Sequence, residues 1–305
     1  MSLLVIGSVA FDAIETPFGS TGKIVGGAAS YIALATSLLN KKIGLVSVVG
    51  DDFDAHFIEI LKARGIDMSG LQIKKGEKSF FWHGKYHVDM NSRDTLVTEL
   101  NVLETFDPII PESWKEPDYV MLGNLSPQVQ LTTLNRLRKK PKLVVMDTMN
   151  FWMDIALEDL KKVLKKVDVL TINDEEARQL SGEYSLVKAA RIIIAMGPQT
   201  LIIKKGEHGA LMFAENEQTF FCPALPLEEV FDPTGAGDTF AGGFIGYLAS
   251  KGRTDFESMK TAIVYGSAMA SFCVEQFGTS KLASITLDDL NIRVAQFKEL
   301  MFLPE

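Results

Sequence analysis

Between Tyr119 and Lys204 short apolar runs alternate with longer stretches patterned for helices, and no other feature of the chain restricts its fold as much. Tyr119–Leu122, Leu143–Met146, Val169–Ile172 and Leu201–Lys204 read as strands. Gln128–Arg138, Met153–Lys165, Glu175–Leu180 and Leu186–Met196 read as helices. Strands joined through helices run parallel, because the crossover carries the chain back to the end of the sheet where it started. A parallel sheet in turn needs helices on both faces. The predicted fold class is therefore α/β, three layers with a mostly parallel central sheet. Polar residues gather just past the strands, at Gly123-Asn124, Asp147-Thr148-Met149-Asn150 and Asn173. The carboxyl ends of the strands are where open α/β sheets hold their ligands.

The N-terminal half begins in the same rhythm. Leu3–Ile6 is a buried strand ending at Gly7-Ser8, Ile43–Val49 a second, and Phe53–Arg64 an amphipathic helix. Asp12 lies a few residues past the first strand, as a ligand residue or as a solvated loop carboxylate. Gly26 and Gly27 precede a helix over Tyr31–Leu39, where paired glycines permit either close approach to a ligand or a plain tight turn. Ser79–Asp89 then alternates apolar and polar residues with a period of two, the mark of a strand with one apolar face. Leu71–Ile73 and the Phe11–Val25 region are its expected partners. The product is a small sheet standing off the main body as a lid, or an edge hairpin packed on the core. Arg93 follows in the polar turn Asn91–Asp94, reaching a substrate or simply solvated. Near the C-terminus, Ala210–Phe213 and Gln218–Cys222 form an antiparallel pair, and Phe256–Phe277 and Thr286–Met301 are helices. The expected organisation is one domain over 1–305, with a β lid drawn from segments within about 11–25 and 67–90.

Charge and composition remove several classes of function. With 31 basic and 39 acidic residues the formal charge is −8, which disfavours a nucleic-acid partner. Cys222 and Cys273 are too few for a disulfide framework and lack metal-knuckle spacing. The histidines His56, His83, His87 and His208 show no metal spacing either. No apolar run reaches 18 residues and the N-terminus lacks a basic, apolar leader pattern, so no membrane association and a cytoplasmic location are expected. Neither the dinucleotide fingerprint G-x-G-x-x-G nor the P-loop G-x-x-x-x-G-K-[ST] occurs.

The remaining phosphate-binding candidate is Asp232-Pro233-Thr234-Gly235-Ala236-Gly237-Asp238, which opens into a helix rich in small residues. Gly235, Ala236 and Gly237 offer backbone N–H groups at a helix N-terminus, where unpaired donors and the positive end of the dipole coincide. A carboxylate there opposes an anion unless it takes a proton from the attacking hydroxyl. Asp238 is thus a general base or an ordinary N-cap. Asn173 and Glu176 at a strand end supply the hard oxygens that Mg²⁺ takes, or they cap the helix they begin. In Lys204-Lys205-Gly206-Glu207-His208-Gly209 the glycines allow a nucleotide to lie on the backbone, with a lysine near phosphate.

Taken together these pieces resemble the ribokinase-like (PfkB) carbohydrate kinases over essentially the whole chain. They are Asp12, Gly26-Gly27, Val49-Gly50-Asp51-Asp52, Asn173-x-x-Glu176, Lys205-Gly206-x-x-Gly209 and Asp232–Asp238, in that order. The resemblance implies ATP-dependent phosphorylation of a hydroxyl on a small sugar. Asp238 would be the base and Gly235-Ala236-Gly237 the anion hole. Asn173 and Glu176 would organise Mg²⁺ and phosphate, with Glu176 acting through water. Lys205, Gly206, Gly209, Thr234, Gly278 and Thr279 would border ATP, and Asp12, Gly26, Gly27 and Arg93 would hold the acceptor. Family members also bind a monovalent cation such as K⁺ near the positions of Asp232 and Thr234. Two positions depart from the family pattern. Tyr31 stands where an Asn is common, and Phe53-Asp54 follows Gly50-Asp51-Asp52 in place of Phe-Gly; both bear on the acceptor. The alternatives are a nucleoside kinase, with Phe80, Phe81, Trp82 and Tyr86 offering rings to a base, and a non-catalytic sugar- or nucleotide-binding regulator. The lid's apolar face could also pair with a second subunit in a homodimer.

Overall fold

In the computed structural model, which describes residues 1–302, the strands in chain order are β1 (Leu3–Ile6), β2 (Ala10–Thr16), β3 (Gly19–Ser20), β4 (Ile24–Gly26), β5 (Ile43–Gly50), β6 (Ile66–Lys74) and β7 (Phe81–Tyr86). They continue with β8 (Arg93–Glu99), β9 (Tyr119–Leu122), β10 (Leu143–Asp147), β11 (Val169–Asn173), β12 (Thr200–Lys204), β13 (Ala210–Ala214) and β14 (Thr219–Cys222). Residues 303–305, the end of the span assigned above to one domain, lie outside the described residues.

The large sheet has the order β14-β13-β12-β11-β10-β9-β1-β5-β6. Its pairings from β6 to β12 are parallel, and β13 and β14 are antiparallel. Successive residues of its central strands feed two separate apolar layers. Leu3, Val5, Tyr119 and Met121 face one layer, while Leu4, Ile6, Val120 and Leu122 face the other. Both faces are covered, so the strands are apolar at every position. The first layer contains the helices Ala28–Leu39, Ala236–Lys251 and Phe256–Cys273; the second contains Leu157–Leu164, Asp174–Ser181 and Leu186–Ile194.

The chain runs outward from β1 through β5 to β6, then returns to the other side of β1 and proceeds from β9 to β12. That reversal opens a crevice at the strands' carboxyl ends. The Ala28–Leu39 and Ala236–Lys251 helices meet over it at backbone distance. A Cβ on Gly242 would stand 2.6 Å from the Ile32 carbonyl oxygen, and Thr36 Oγ1 donates to the Gly242 carbonyl at 3.1 Å.

The small sheet has the order β3-β2-β7-β8, with β4 also on β2. Its composition corrects the sequence reading in two places. Leu71–Ile73 does not join it but lies in β6, paired with Ser47–Val49 of β5 at the edge of the large sheet. The partner of β7 on that side is β8, which begins at Arg93, the residue assigned above to a turn. Every residue of β8 is exposed, so no apolar face marks it in the sequence. The helix expected over Met153–Lys165 is two, Asn150–Ile155 and Leu157–Leu164, broken at Ala156 where ψ is 30°. Cys222 and Cys273 are buried free thiols.

Candidate active site

The turn Asp232–Asp238 is held in shape by its first residue. The buried Asp232 carboxylate accepts the Thr234 N–H at 2.8 Å and the Gly278 N–H at 2.9 Å, tying the turn to the chain beyond the Phe256–Cys273 helix. Gly235 then takes φ 75°, a left-handed conformation, and a Cβ there would lie 2.5 Å from ring atoms of Tyr31. Only glycine satisfies both conditions. Ala236 donates its N–H to the Pro233 carbonyl, whereas the N–H groups of Gly235, Gly237 and Asp238 meet no acceptor among the described residues. Of the three amides expected to receive an anion, that of Ala236 is committed to the turn, while Gly235, Gly237 and also Asp238 keep theirs unpaired.

Asp238, in the first turn of the Ala236–Lys251 helix, makes no capping bond. Burial and the neighbouring Asp147 carboxylate raise its pKa to about 7, against the pull of Lys204. Two residues that the sequence reading did not single out complete this part of the site. Lys204, the last residue of β12, forms a 2.6 Å ion pair with Asp147, the last residue of β10. Both end strands of the parallel sheet, and that placement was the signal available in the sequence. Lys205, the lysine favoured from the sequence, instead donates its backbone N–H to the Gly209 carbonyl and shapes the Gly206–His208 turn.

Asn173 and Glu176 form a reciprocal capping box. The Asn173 side chain accepts the Glu176 N–H at 2.7 Å, and Glu176 Oε2 accepts the Asn173 N–H at 2.8 Å. One carboxylate oxygen is thus committed to the helix cap while the other is not. Glu176 is 4% exposed, and burial above all lifts its pKa to about 7. The capping and ligand roles weighed for this pair are compatible in one geometry.

On the acceptor side Asp12 sits so close to the glycine pair that a Cβ on Gly26 would fall 1.8 Å from its Oδ2. Burial raises Asp12 to about 7, opposed by the Gly27 N–H and reinforced by Asp232 and Asp238. The Tyr31 hydroxyl is buried and has no hydrogen-bond partner among the described residues. The small sheet closes over this region. The Thr234 hydroxyl donates to Tyr86 Oη at 3.2 Å, and Asn91 reaches Gly206, where a Cβ would meet its Oδ1 at 2.3 Å. Arg93 lies with its guanidinium 6.0 Å from the Trp82 ring and lowers the pKa values of Asp238, Glu176 and Tyr86, so its charge faces the crevice. Trp82 itself is spent within the lid, donating to Thr95 Oγ1 at 3.2 Å. The Gly278 N–H is bonded to Asp232 at the base of the turn, and Thr279 beside it is buried.

The donor set fits a nucleotide triphosphate accompanied by a divalent cation. Unpaired amides and Lys204 suit phosphate oxygens, and the carboxylates Asp147, Glu176 and Asp238 outnumber the cations beside them. Among the described residues no three His, Cys, Asp or Glu side chains converge as a metal cage. That is in keeping with Mg²⁺, which binds through one or two carboxylates, water and substrate phosphates.

Comparison with known proteins gives the chain its family. The family model described as pfkB family carbohydrate kinase matches residues 2–286. A cytidine kinase from Thermococcus kodakarensis is 35% identical over 258 residues, covering 83% of this chain and 90% of that protein. A nucleoside kinase from Methanothermobacter thermautotrophicus is 26% identical over 308 residues, covering 91% of this chain and 90% of that protein. Among solved structures, the nucleoside kinase of Methanocaldococcus jannaschii has a TM-score of 0.77 at 22% identity, covering 97% of this chain and 99% of the other. The fold is ribokinase-like, and the chain belongs to the pfkB family of carbohydrate kinases, phosphotransferases that act on a hydroxyl group.

Proposed function

We propose that the protein is an ATP-dependent kinase that phosphorylates a hydroxyl on the ribose of a nucleoside, with Asp238 as the general base. One observation carries this reading: a half-buried carboxyl of raised pKa stands at the same helix N-terminus as three unpaired amides. A proton acceptor and a phosphate cradle thereby fall within four consecutive residues, Gly235 to Asp238. The sequence put a free sugar first. The nucleoside is favoured because the relative at 35% identity is a cytidine kinase.

The protein's residues divide the work. Mg·ATP, when bound, supplies the phosphoryl group and neutralises its charge. Asp12, with the Gly26-Gly27 backbone, receives acceptor hydroxyls and holds one toward Asp238. Asp238 takes that hydroxyl's proton; a base with a pKa near 7 is about half deprotonated at neutral pH and still basic enough to accept it. The amides of Gly235, Gly237 and Asp238 meet the negative charge spread over the phosphoryl oxygens. Glu176, with one oxygen uncommitted, would hold Mg²⁺ through water. Lys205, Gly206, Gly209, Thr234, Gly278 and Thr279 line the nucleotide, and Arg93 closes the acceptor side from the lid. A monovalent cation near Asp232 and Thr234, and a homodimer formed through the exposed strand β8 with Leu96 and Val97, belong to the same reading.

ADP release measured against a panel of nucleosides and free sugars tests this function. Turnover with cytidine or another ribonucleoside well above that with ribose or hexoses is the expected result. Turnover confined to free sugars would reverse the acceptor assignment, and ATP binding without turnover on any acceptor would point to the regulator.

A further inference from the structure

Lys204 is a cation buried beside the anion hole. Its ammonium lies 2.6 Å from the Asp147 carboxylate and 2.9 Å from where a Cβ on Gly237 would stand, and its side chain is 17% exposed. Asp147 is itself fixed from the sheet side, where Thr171 Oγ1 donates to the same Oδ2 at 3.2 Å. An ammonium so placed costs free energy unless it is paired. One bond to Asp147 uses one of its three N–H groups. The Gly237 and Asp238 amides are unpaired among the described residues, and Gly237 is the residue the ammonium lies against. The groups facing Lys204 are Asp147 from β10, Glu176 from the Asp174–Ser181 helix and Asp238 from the Ala236–Lys251 helix, and together they keep it charged against the effect of burial.

We propose that Lys204 contacts the terminal phosphoryl group during transfer, with Asp147 as the positioning residue that aims it. This rests on the kinase reading above. In the step concerned, the acceptor oxygen bonds to the terminal phosphorus and its proton goes to Asp238. The bond from that phosphorus to the bridging oxygen breaks, and its electron pair leaves on the diphosphate. Lys204 donates to the non-bridging oxygens of the group in flight, beside the backbone amides, and returns to Asp147 when the product departs. A flexible point charge suits a group that moves between two oxygens.

Calorimetric titration of the whole protein with ADP and with the β,γ-imido analogue of ATP, each with Mg²⁺, tests this without relying on turnover. Lys204→Met should weaken the analogue about ten- to a hundredfold, the effect of one charge-assisted hydrogen bond, and ADP less than about threefold. Lys204→Arg, which keeps the charge, should restore most of the difference. Because Lys204→Met strands a buried Asp147 carboxylate, the double variant Lys204→Met with Asp147→Asn repeats the measurement with that charge removed. Equal weakening of ADP and analogue in the folded double variant, or no weakening of the analogue, would overturn the assignment. A wild-type protein that bound neither nucleotide would overturn the kinase reading and this contact with it.

Discussion

Replacing Asp238 by Asn is expected to stop turnover and, above neutral pH, to make the protein more stable. The wild-type carboxyl is raised from 3.8 to about 7 by burial and by Asp147. The difference, 7 − 3.8 = 3.2, corresponds to about 4 kcal/mol for keeping the ionised form in place. Asp238 is half-buried, and solvent screening brings this to about 2 kcal/mol. The folded pKa lies above the unfolded one, so stability from this group is complete below about 3.8 and is lost as pH rises through 7. Asn loses none of it. At pH 5 the variant should be ahead by less than about 1 kcal/mol, whereas at pH 8 it should be more stable by about 2 kcal/mol, a few degrees in Tm for a chain of this size. Scanning calorimetry from pH 5 to 8, with ADP release on the same samples, reads both effects. Turnover should fall about 10²–10⁴-fold, the range for loss of a general base. The reasoning fails if the variant is no more stable relative to wild type at pH 8 than at pH 5, or if it keeps turnover within about tenfold.

The same carboxyl predicts that kcat/KM rises with pH to a plateau just above 7, falling about tenfold per pH unit on the acid side; a flat profile between pH 6 and 8 would exclude Asp238 as the base. Gly235→Ala should cost about 1–3 kcal/mol for the left-handed conformation alone, before the contact with Tyr31, and should remove most activity; urea unfolding beside an ADP-release assay measures both. Tyr31→Phe removes a buried hydroxyl that has no partner among the described residues, so stability should be unchanged or slightly raised while KM for the acceptor increases. An unchanged KM would separate Tyr31 from the acceptor.

How much of this was legible in the sequence depends on how local its cause is. The parallel sheet was readable because strands buried on both faces carry apolar residues at every position, as Leu3–Ile6 and Tyr119–Leu122 do. The shape of the Asp232–Asp238 turn was readable because its causes are contiguous: Gly235 must be glycine, and Asp238 follows it within one turn. Asn173 and Glu176 are likewise neighbours on one cap, with both partners in a four-residue stretch. Strand β8 was not legible, since a strand exposed at every residue has no alternation to betray it, and β6 was assigned to the wrong sheet because edge pairing depends on which neighbour is nearest in space.

Lys204 and Asp147 are 57 residues apart and meet only because β10, β11 and β12 lie side by side and end together. In the sequence Lys204 and Lys205 are equivalent cations beside a glycine loop. Lys204 still belongs to β12 and its side chain is turned onto Asp147, whereas Lys205 lies past the strand's end and shapes the loop. The sequence alone determined the layers and the glycine turn with the carboxylate that follows it, because each follows from a short run of residues. Only the tertiary structure decided which charges stand against that turn, because strand order and register bring distant side chains within bonding distance.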